Sequence, residues 1–254
     1  MKLIDTHAHL FDDKYSVSAK EIAQSFFAAG GLALFGMSSD INESKKYIAL
    51  KKEVDNLYIG AGVHPHNASE YSESDEKFIK DNIEDIDVIG EIGLDYFYDF
   101  APHDTQIEVF EKQMQLALEL KKPVSLHCRE AHGDFMEILR KYQGVTGVVH
   151  CFSGSVEVAR ESVKLGYMLG IGGSYTFKNG KKLKEVVKEV GLNNIVLETD
   201  SPYLAPEPIR GSVNIPQNTL IVAKAISDEL GVSLDEVLEK TTNNAIKIFK
   251  IGEK

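Results

Sequence analysis

The run Leu3-Ile4-Asp5-Thr6-His7-Ala8-His9 indicates the first strand of the fold, because it combines β-type residues with two histidines at its end. Side chains alternate along a strand, so residues i and i+2 point to the same face. His7 and His9 are therefore expected to point the same way. Seven further β-type runs follow, and the sequence predicts strands at 3–6, 32–37, 57–63, 88–93, 124–127, 148–151, 167–171 and 195–198.

Segments with helical periodicity separate these strands, and the tail predicts two more helices. One covers 217–230, and the other begins at Ser233 with Glu236 completing a capping box. Strand–helix alternation repeated eight times, without a Pro/Gly/Ser-rich linker, indicates an α/β fold: a (β/α)₈ TIM barrel with an extra C-terminal helix, in one domain over 1–254. A doubly wound open sheet is the alternative, because alternation alone does not prove closure. The count of eight favours the barrel.

The composition is that of a globular protein, since 43% of the 254 residues are hydrophobic. Its apolar stretches are strand-sized, and none approaches the roughly 20 residues of a membrane span. The N-terminus leads directly into the first strand without the apolar region of a signal peptide. Two cysteines are too few for a disulfide framework. We expect a cytoplasmic protein without membrane contact, and the sequence indicates no obligate protein partner.

The chain is acidic, with a formal net charge of −11 from 28 basic and 39 acidic residues. This balance argues against a broad basic face for duplex binding, because such binding relies on many Lys/Arg–phosphate contacts. It does not exclude a phosphate-bearing substrate, since bound divalent cations can supply the local positive charge.

Metal-type side chains recur at the ends of five predicted strands. They are His7, His9, Glu91, His127, His150 and Asp200. Barrel enzymes place their active sites at the C-terminal ends of the strands. Each residue alone has an ordinary explanation, such as a hydrogen-bonded histidine pair or a helix N-cap aspartate. Together they predict a metal site, and the mixed nitrogen and oxygen donors suit Zn²⁺, Mn²⁺, Fe²⁺ or Mg²⁺. By contrast, His103 and His132 lie near helix starts and are predicted to be surface residues.

These residues lie in or between six motifs that occur in order from Asp5 to Pro206, within a pattern that extends to about Asn244. The motifs are Asp5-Thr6-His7-Ala8-His9-Leu10, Gly62-Val63-His64-Pro65-His66, Gly90-Glu91-Ile92-Gly93-Leu94-Asp95-Tyr96, Leu126-His127-Cys128-Arg129, His150-Cys151-Phe152-Ser153-Gly154 and Glu198-Thr199-Asp200-Ser201-Pro202-Tyr203-Leu204-Ala205-Pro206. As a set they resemble the TatD family of metal-dependent deoxyribonucleases, within the amidohydrolase-like barrel superfamily.

The resemblance implies a centre of two divalent metal ions, Mg²⁺, Mn²⁺ or Zn²⁺. One ion would be held by His7, His9 and Asp200, the other by His127 and His150, with Glu91 bridging them. The resemblance also implies removal of nucleotides from the 3′ ends of single-stranded DNA, and in some members of RNA. Glu91 and Asp200 are the predicted catalytic residues, with Asp200 orienting or deprotonating the attacking water.

Basic and histidine side chains near these motifs are candidate phosphate contacts. His64 and His66 are predicted to contact the substrate phosphate or leaving oxygen, and a structural hydrogen bond to a carboxylate is the alternative. Arg129 could bind a phosphate oxygen in a fork, or instead form a salt bridge to Glu130 or Asp134.

Three further residues are candidate substrate contacts. Tyr96 and Tyr203 could stack on a base, and rim packing is the alternative for both. Arg210 opens Arg210-Gly211-Ser212-Val213-Asn214, where the family usually carries further basic residues after its Arg-Gly. That departure bears on nucleic-acid affinity and leaves the metal ligands intact.

Two other functional classes fit the same residues. One is an ester or amide hydrolase on this barrel, such as a D-aminoacyl-tRNA deacylase, in which the metals would polarise a carbonyl. The other is a non-catalytic binding scaffold, which the complete ligand set disfavours. Nothing in the sequence separates a phosphodiester substrate from an ester.

Overall fold

The computed structural model describes residues 3–252, which form alternating strands and helices. The strands are β1 Leu3–Ala8, β2 Gly31–Met37, β3 Leu57–Ala61, β4 Val88–Asp95, β5 Val124–Arg129, β6 Gly147–Val149, β7 Tyr167–Ile171 and β8 Ile195–Leu197. The helices are α1 Ala19–Ala28, α2 Ile41–Lys51, α3 Glu73–Asp81, α4 His103–Leu120, α5 His132–Lys141, α6 Val156–Lys164, α7 Lys181–Val190, α8 Thr219–Leu230 and α9 Leu234–Phe249. All eight predicted strands are present.

The strands form one parallel sheet in the order β1 to β8, and the sheet closes on itself. Closure occurs beyond the end of β8, where Ala8 pairs in parallel with Ser201. The Asp200 N–H donates to His7 O at 3.0 Å, and the His9 N–H donates to Ser201 O at 2.7 Å. The fold is therefore a (β/α)₈ barrel with one extra C-terminal helix, as predicted, and the open-sheet alternative is wrong.

Strand ends differ from the predicted ones where the backbone turns sharply. β6 ends at Val149, two residues early, and Cys151 just beyond it has a φ of 46°. Asp200, after β8, has a φ of 55°. Non-glycine residues in this left-handed region cannot continue a strand and cost free energy, and they concentrate at functional sites. Both turns lie beside predicted metal ligands.

Helix starts follow the local capping chemistry. Ser18 and Glu21 form a reciprocal capping box at α1, and the Ser233 side chain accepts from the Glu236 N–H at α9. The helix predicted at 217–230 begins at Thr219, because Pro216–Asn218 forms a 3₁₀ turn first. Between residues 3 and 252, no helix has the length and apolar character that crossing a membrane requires.

Helix α9 closes the N-terminal end of the barrel. Its buried Ala245, Ile248 and Phe249 join an apolar cluster with residues of five strands: Ile4, Ala33, Phe35, Met37, Val88, Val148 and Val196. The rings of Phe35 and Phe249 have centroids 4.4 Å apart. Several of these residues lie early in their strands, so the cluster fills the N-terminal end of the barrel. The C-terminal end stays open, and we call it the mouth.

Candidate metal centre

Glu91 of β4 lies at the centre of four predicted ligands. Its Oε2 atom is 3.2 Å from His7 Nε2 and 3.5 Å from His9 Nε2. Its Oε1 atom is 3.0 Å from His127 Nδ1 and 2.9 Å from His150 Nε2. Only 3% of the Glu91 side chain is exposed. One buried carboxylate therefore faces histidines from β1 and β5 and from the segments that follow β1 and β6.

Asp200 and His64 complete this cluster. Asp200 Oδ1 lies 3.4 Å from His9 Nε2, and His64 Nε2 lies 3.6 Å from Glu91 Oε1. Three sets of donor atoms lie within 4.8 Å of one another and could each hold a cation: His7, His150 and Asp200; His7, His9 and Glu91; and His64, Glu91 and His127. The structure thus brings together all six predicted ligands and adds His64, which was predicted as a substrate contact.

The outer nitrogens of two histidines have partners that fit metal ligation by the inner ones. His9 Nδ1 lies 3.2 Å from the Met37 carbonyl, which can only accept, so this nitrogen carries the proton. His127 Nε2 likewise faces a carboxylate oxygen of Asp95 at 3.0 Å. Histidine ligands in metalloproteins are oriented by such hydrogen bonds. The lone pairs of His9 Nε2 and His127 Nδ1 are therefore available toward Glu91.

His7 and His64 differ in the partners of their Nδ1 atoms. His7 Nδ1 is 3.1 Å from Ser125 Oγ, which leaves Nε2 free to bind a cation. His64 Nδ1 accepts from the backbone N–H of His66, so in a neutral ring its proton lies on Nε2. His64 therefore points a donor rather than a lone pair at Glu91, which suits a phosphate contact better than metal ligation.

The electrostatics of the cluster favour bound positive charge. Burial would raise the pKa of Glu91, but the charges of His150, His7 and His64 hold it well below its ordinary value. Burial would lower the pKa of His9 and of His127, yet contacts with Asp200 and Glu91 raise that of His9 to about 9, and contacts with Asp95 and Glu91 raise that of His127 to about 9. Without a metal ion, His9 and His127 hold protons beside Glu91, whereas burial lowers the pKa of His7 and of His64 to about 4. The negative charge of Glu91 thus favours a bound cation.

A buried carboxylate outside the predicted set joins the first strand of the barrel to the segment that follows the last strand. Asp5 Oδ1 accepts from the backbone N–H of His7 at 3.2 Å and of Thr199 at 2.9 Å. Its Oδ2 atom accepts from Thr199 Oγ1 at 2.5 Å. Asp5 therefore holds the ligand pair of β1 against the segment that carries Asp200. Its position two residues before His7, on the same strand face, is the signal that could have revealed it.

Glu198 is a second buried carboxylate that the sequence reasoning missed. Its Oε1 atom accepts from the Cys151 N–H and lies 3.8 Å from His150 Nδ1. A Cβ on Gly170 would come within 2.1 Å of its Oε2 atom, so the glycine makes room for this carboxylate. Burial raises the pKa of Glu198 to about 7.

The predicted substrate contacts surround the mouth. His66 Nε2 bonds to Asp95 Oδ2 at 3.0 Å, with 29% of its side chain exposed. The Arg129 guanidinium lies 3.8 Å above the Phe97 ring. Among the described residues no carboxylate lies within 4.0 Å of this guanidinium, so the alternative of a salt bridge to Glu130 or Asp134 is wrong.

Tyr96, Tyr203 and Arg210 already pack against the protein. The Tyr96 hydroxyl donates to Asp134 at 2.6 Å, and its ring stacks on His103, with centroids 3.7 Å apart. This leaves at most one face of Tyr96 for a base. Tyr203 donates to Asp12 beneath the ammonium of Lys14. Arg210 lies over the Phe177 ring at 4.1 Å.

Comparisons with known proteins agree with this geometry. A family profile described as TatD related DNase matches residues 4–250. The uncharacterized metal-dependent hydrolase YabD of Bacillus subtilis is 38% identical, over 98% of this chain and 100% of that protein. The 3′-5′ ssDNA/RNA exonuclease TatD of Salmonella typhimurium is 30% identical, over 82% of each chain. The crystal structure of the TatD homologue YJJV from Escherichia coli superposes with a TM-score of 0.91 at 27% identity, covering 98% of both chains. The chain therefore belongs to the TatD family of metal-dependent hydrolases.

Proposed function

We propose that this protein is a metal-dependent phosphodiesterase that removes nucleotides from the 3′ ends of single-stranded DNA or RNA. The observation that carries the proposal is Glu91, buried between four histidines at the open end of the barrel. The relative named a 3′-5′ ssDNA/RNA exonuclease supports the substrate class and the polarity.

Six side chains would hold two divalent cations, Mg²⁺, Mn²⁺ or Zn²⁺. His7, His9 and Asp200 are assigned to one ion and His127 and His150 to the other, with Glu91 between them. When bound, the cations supply Lewis acidity, which activates water near neutral pH and offsets the negative charge of a phosphate.

Asp200 is assigned as the proton acceptor. Burial would raise the pKa of Asp200, but its contact with His9 and the charges of His150 and His7 lower it, so the carboxylate is ionised at neutral pH. Its side chain is 15% exposed, so water reaches the carboxylate group. The Asp200 Oδ atoms can therefore orient a water and take its proton.

The neighbouring side chains bind the substrate in this proposal. His64 presents its Nε2 proton, and the partly exposed His66 lies beside it, with ring centroids 4.3 Å apart. Both are assigned to the phosphate or the leaving oxygen, and Arg129 to a phosphate further along the strand. Tyr203 and Arg210 are assigned to the outer rim, where the substrate enters.

The test uses purified protein loaded with Mg²⁺, Mn²⁺ or Zn²⁺. Single-stranded DNA and RNA labelled at the 3′ end are expected to release labelled mononucleotides. Release should stop with chelator and with Glu91→Ala, and a Glu84→Ala variant at an exposed site should retain it. Hydrolysis of D-aminoacyl-tRNA, with no cleavage of DNA or RNA, would instead assign the site to ester hydrolysis and overturn the proposal.

A further inference from the structure

Three aromatic side chains lie exposed on the loop that follows β4. Phe97 is 48% exposed, Tyr98 39% and Phe100 63%. The ring centroids of Phe97 and Tyr98 are 4.7 Å apart, and those of Tyr98 and Phe100 are 5.3 Å apart. We call these three residues the aromatic platform. Contiguous exposed apolar surface marks binding sites more often than isolated exposed side chains do.

Buried side chains hold the loop in place. Asp95 Oδ1 accepts from the backbone N–H of Phe97 at 2.9 Å and of Tyr98 at 3.2 Å. The Gln106 amide donates to Asp95 O at 3.0 Å and to Ala101 O at 2.9 Å, which fixes both ends of the loop. A preorganised platform loses little conformational entropy when a ligand binds.

A cation adjoins the platform. The Arg129 guanidinium lies 3.8 Å from the Phe97 ring centroid and 5.0 Å from that of Tyr98. Within residues 3–252 it has no carboxylate at ion-pair distance. An arginine stacked on aromatic rings keeps its N–H groups at the edge of its plane, where they can donate to a phosphate. The surface therefore offers aromatic faces beside an uncompensated positive charge.

The platform is continuous with the metal centre through His66. The His66 ring lies 4.8 Å from Phe100 and 5.5 Å from Tyr98, measured between centroids. On its other side, His66 Nε2 shares Asp95 Oδ2 with His127, a proposed metal ligand. The platform is thus joined to the proposed metal centre by a chain of direct contacts through His66 and Asp95.

We propose that an unpaired base of the nucleotide strand whose phosphate lies at the metal centre stacks on the platform at Tyr98 and Phe100, whose rings are tilted by 33°. Phe97, at 89° to Tyr98, packs against Arg129, which binds an adjoining phosphate. The inference rests on the proposed function and adds its base subsite. Aromatic faces accept any base, so the platform selects unpaired strands over duplexes without selecting sequence. A paired base is stacked on both sides by its neighbours and cannot enter.

The first test measures stacking without catalysis. A single-stranded oligonucleotide carrying 2-aminopurine as its 3′-terminal base is titrated with the protein in chelator, where no cleavage occurs. Stacking should quench the 2-aminopurine fluorescence. Replacing Phe97, Tyr98 and Phe100 together by Ala should abolish the quenching and weaken binding about 5- to 150-fold, the range for one stacked base. Phe100→Ala alone should weaken binding less. Because Phe100 is the most exposed of the three, this variant shows whether the loss of binding arises without misfolding.

Leu118→Ala is the matched control, since Leu118 is 38% exposed on α4. It should leave binding and quenching unchanged. Absence of quenching with the unmodified protein, or equal binding by the protein with all three platform residues replaced, would overturn the inference.

The second test separates the platform from the proposed function. With metal, kcat/KM is compared for strands ending in a normal or an abasic 3′ nucleotide. The unmodified protein should prefer the normal strand, and replacing the three platform residues should bring the ratio close to one. If the ratio of kcat/KM values stayed unchanged, the stacking proposal would be wrong, whereas the proposed nuclease activity would still hold. If no strand is cleaved at all, the proposed function is wrong. The fluorescence titration then tests on its own whether a base stacks on the platform.

Discussion

The Nε2 atom of His127 lies 3.0 Å from Oδ2 of Asp95, and the opposite nitrogen of the same ring faces Glu91. Asp95 is 1% exposed, and burial would raise its pKa, but the hydrogen bonds from His127 and His66 hold that pKa far below its ordinary value. An ionised Asp95 thus fixes which His127 nitrogen carries the proton. The lone pair on Nδ1 is left for a cation.

Asp95→Asn should weaken metal binding about 10- to 100-fold, the usual effect of losing an outer partner of a ligand. An amide donor facing His127 favours the tautomer with its proton on Nδ1, which blocks ligation. Isothermal titration with Mn²⁺ measures the effect, and Asp99→Asn on the same loop is the control. Unchanged Mn²⁺ affinity in a folded Asp95→Asn protein would show that Asp95 does not position His127.

Glu91→Gln should reduce activity by more than the roughly 100-fold expected from loss of an outer partner. Glu91 faces four histidines, so the neutral amide removes the main negative charge from the centre. Elemental analysis should find less bound metal, and Glu84→Gln should retain the full content. Full metal content together with full activity in Glu91→Gln would contradict the assignment of the bridging position.

Chelated protein should lose stability as pH rises from about 7 to 9. The pKa values of His9 and His127 are about 9 in the folded chain and 6.5 ordinarily, so the folded state binds protons more tightly. Their contribution is fully present below 6.5 and is lost as pH passes through 9. The pKa of His7 is lowered to about 4, so His7 is neutral in both states across this window.

Thermal unfolding in chelator at pH 7, 8 and 9 measures this loss as a falling Tm. Metal affinity should change in the opposite direction, rising over the same range because bound protons no longer compete with the cation. A Tm in chelator that rises from pH 7 to 9 would contradict the prediction.

Gly147→Ala should destabilise the barrel by about 1–3 kcal/mol, the usual cost of overpacking. A Cβ at Gly147 would lie 2.0 Å from Val124 O, so β5 and β6 would have to separate. Gly133→Ala in α5 is the matched control. Among the described residues, nothing beyond its chain neighbours and its own helix backbone lies within 4 Å of the added Cβ, so the change should be neutral or stabilising by up to about 1 kcal/mol. Urea unfolding compares the two, and equal midpoints would refute the close approach.

The sequence could predict that the proposed ligands lie together, because the strand period places them. His7 and His9 share a face by alternation, and parallel strands bring their C-terminal ends to one mouth. The hydrogen-bond partners of those residues could not be predicted from the sequence. Asp95 contacts His66 and His127, which lie 29 and 32 residues away, and no local pattern encodes that contact. Tyr96 shows the same limit, because its packing on His103 depends on where α4 begins.

Helix α9 gives the barrel a floor, with Phe249 set against Phe35. Substrate and product therefore use the same opening, the C-terminal end of the barrel. A polymer cannot pass through the molecule from one end to the other. If the proposed exonuclease activity holds, each released nucleotide leaves through the same opening that holds the remaining strand. The turnover rate on long substrates would then depend on how fast the product leaves that opening.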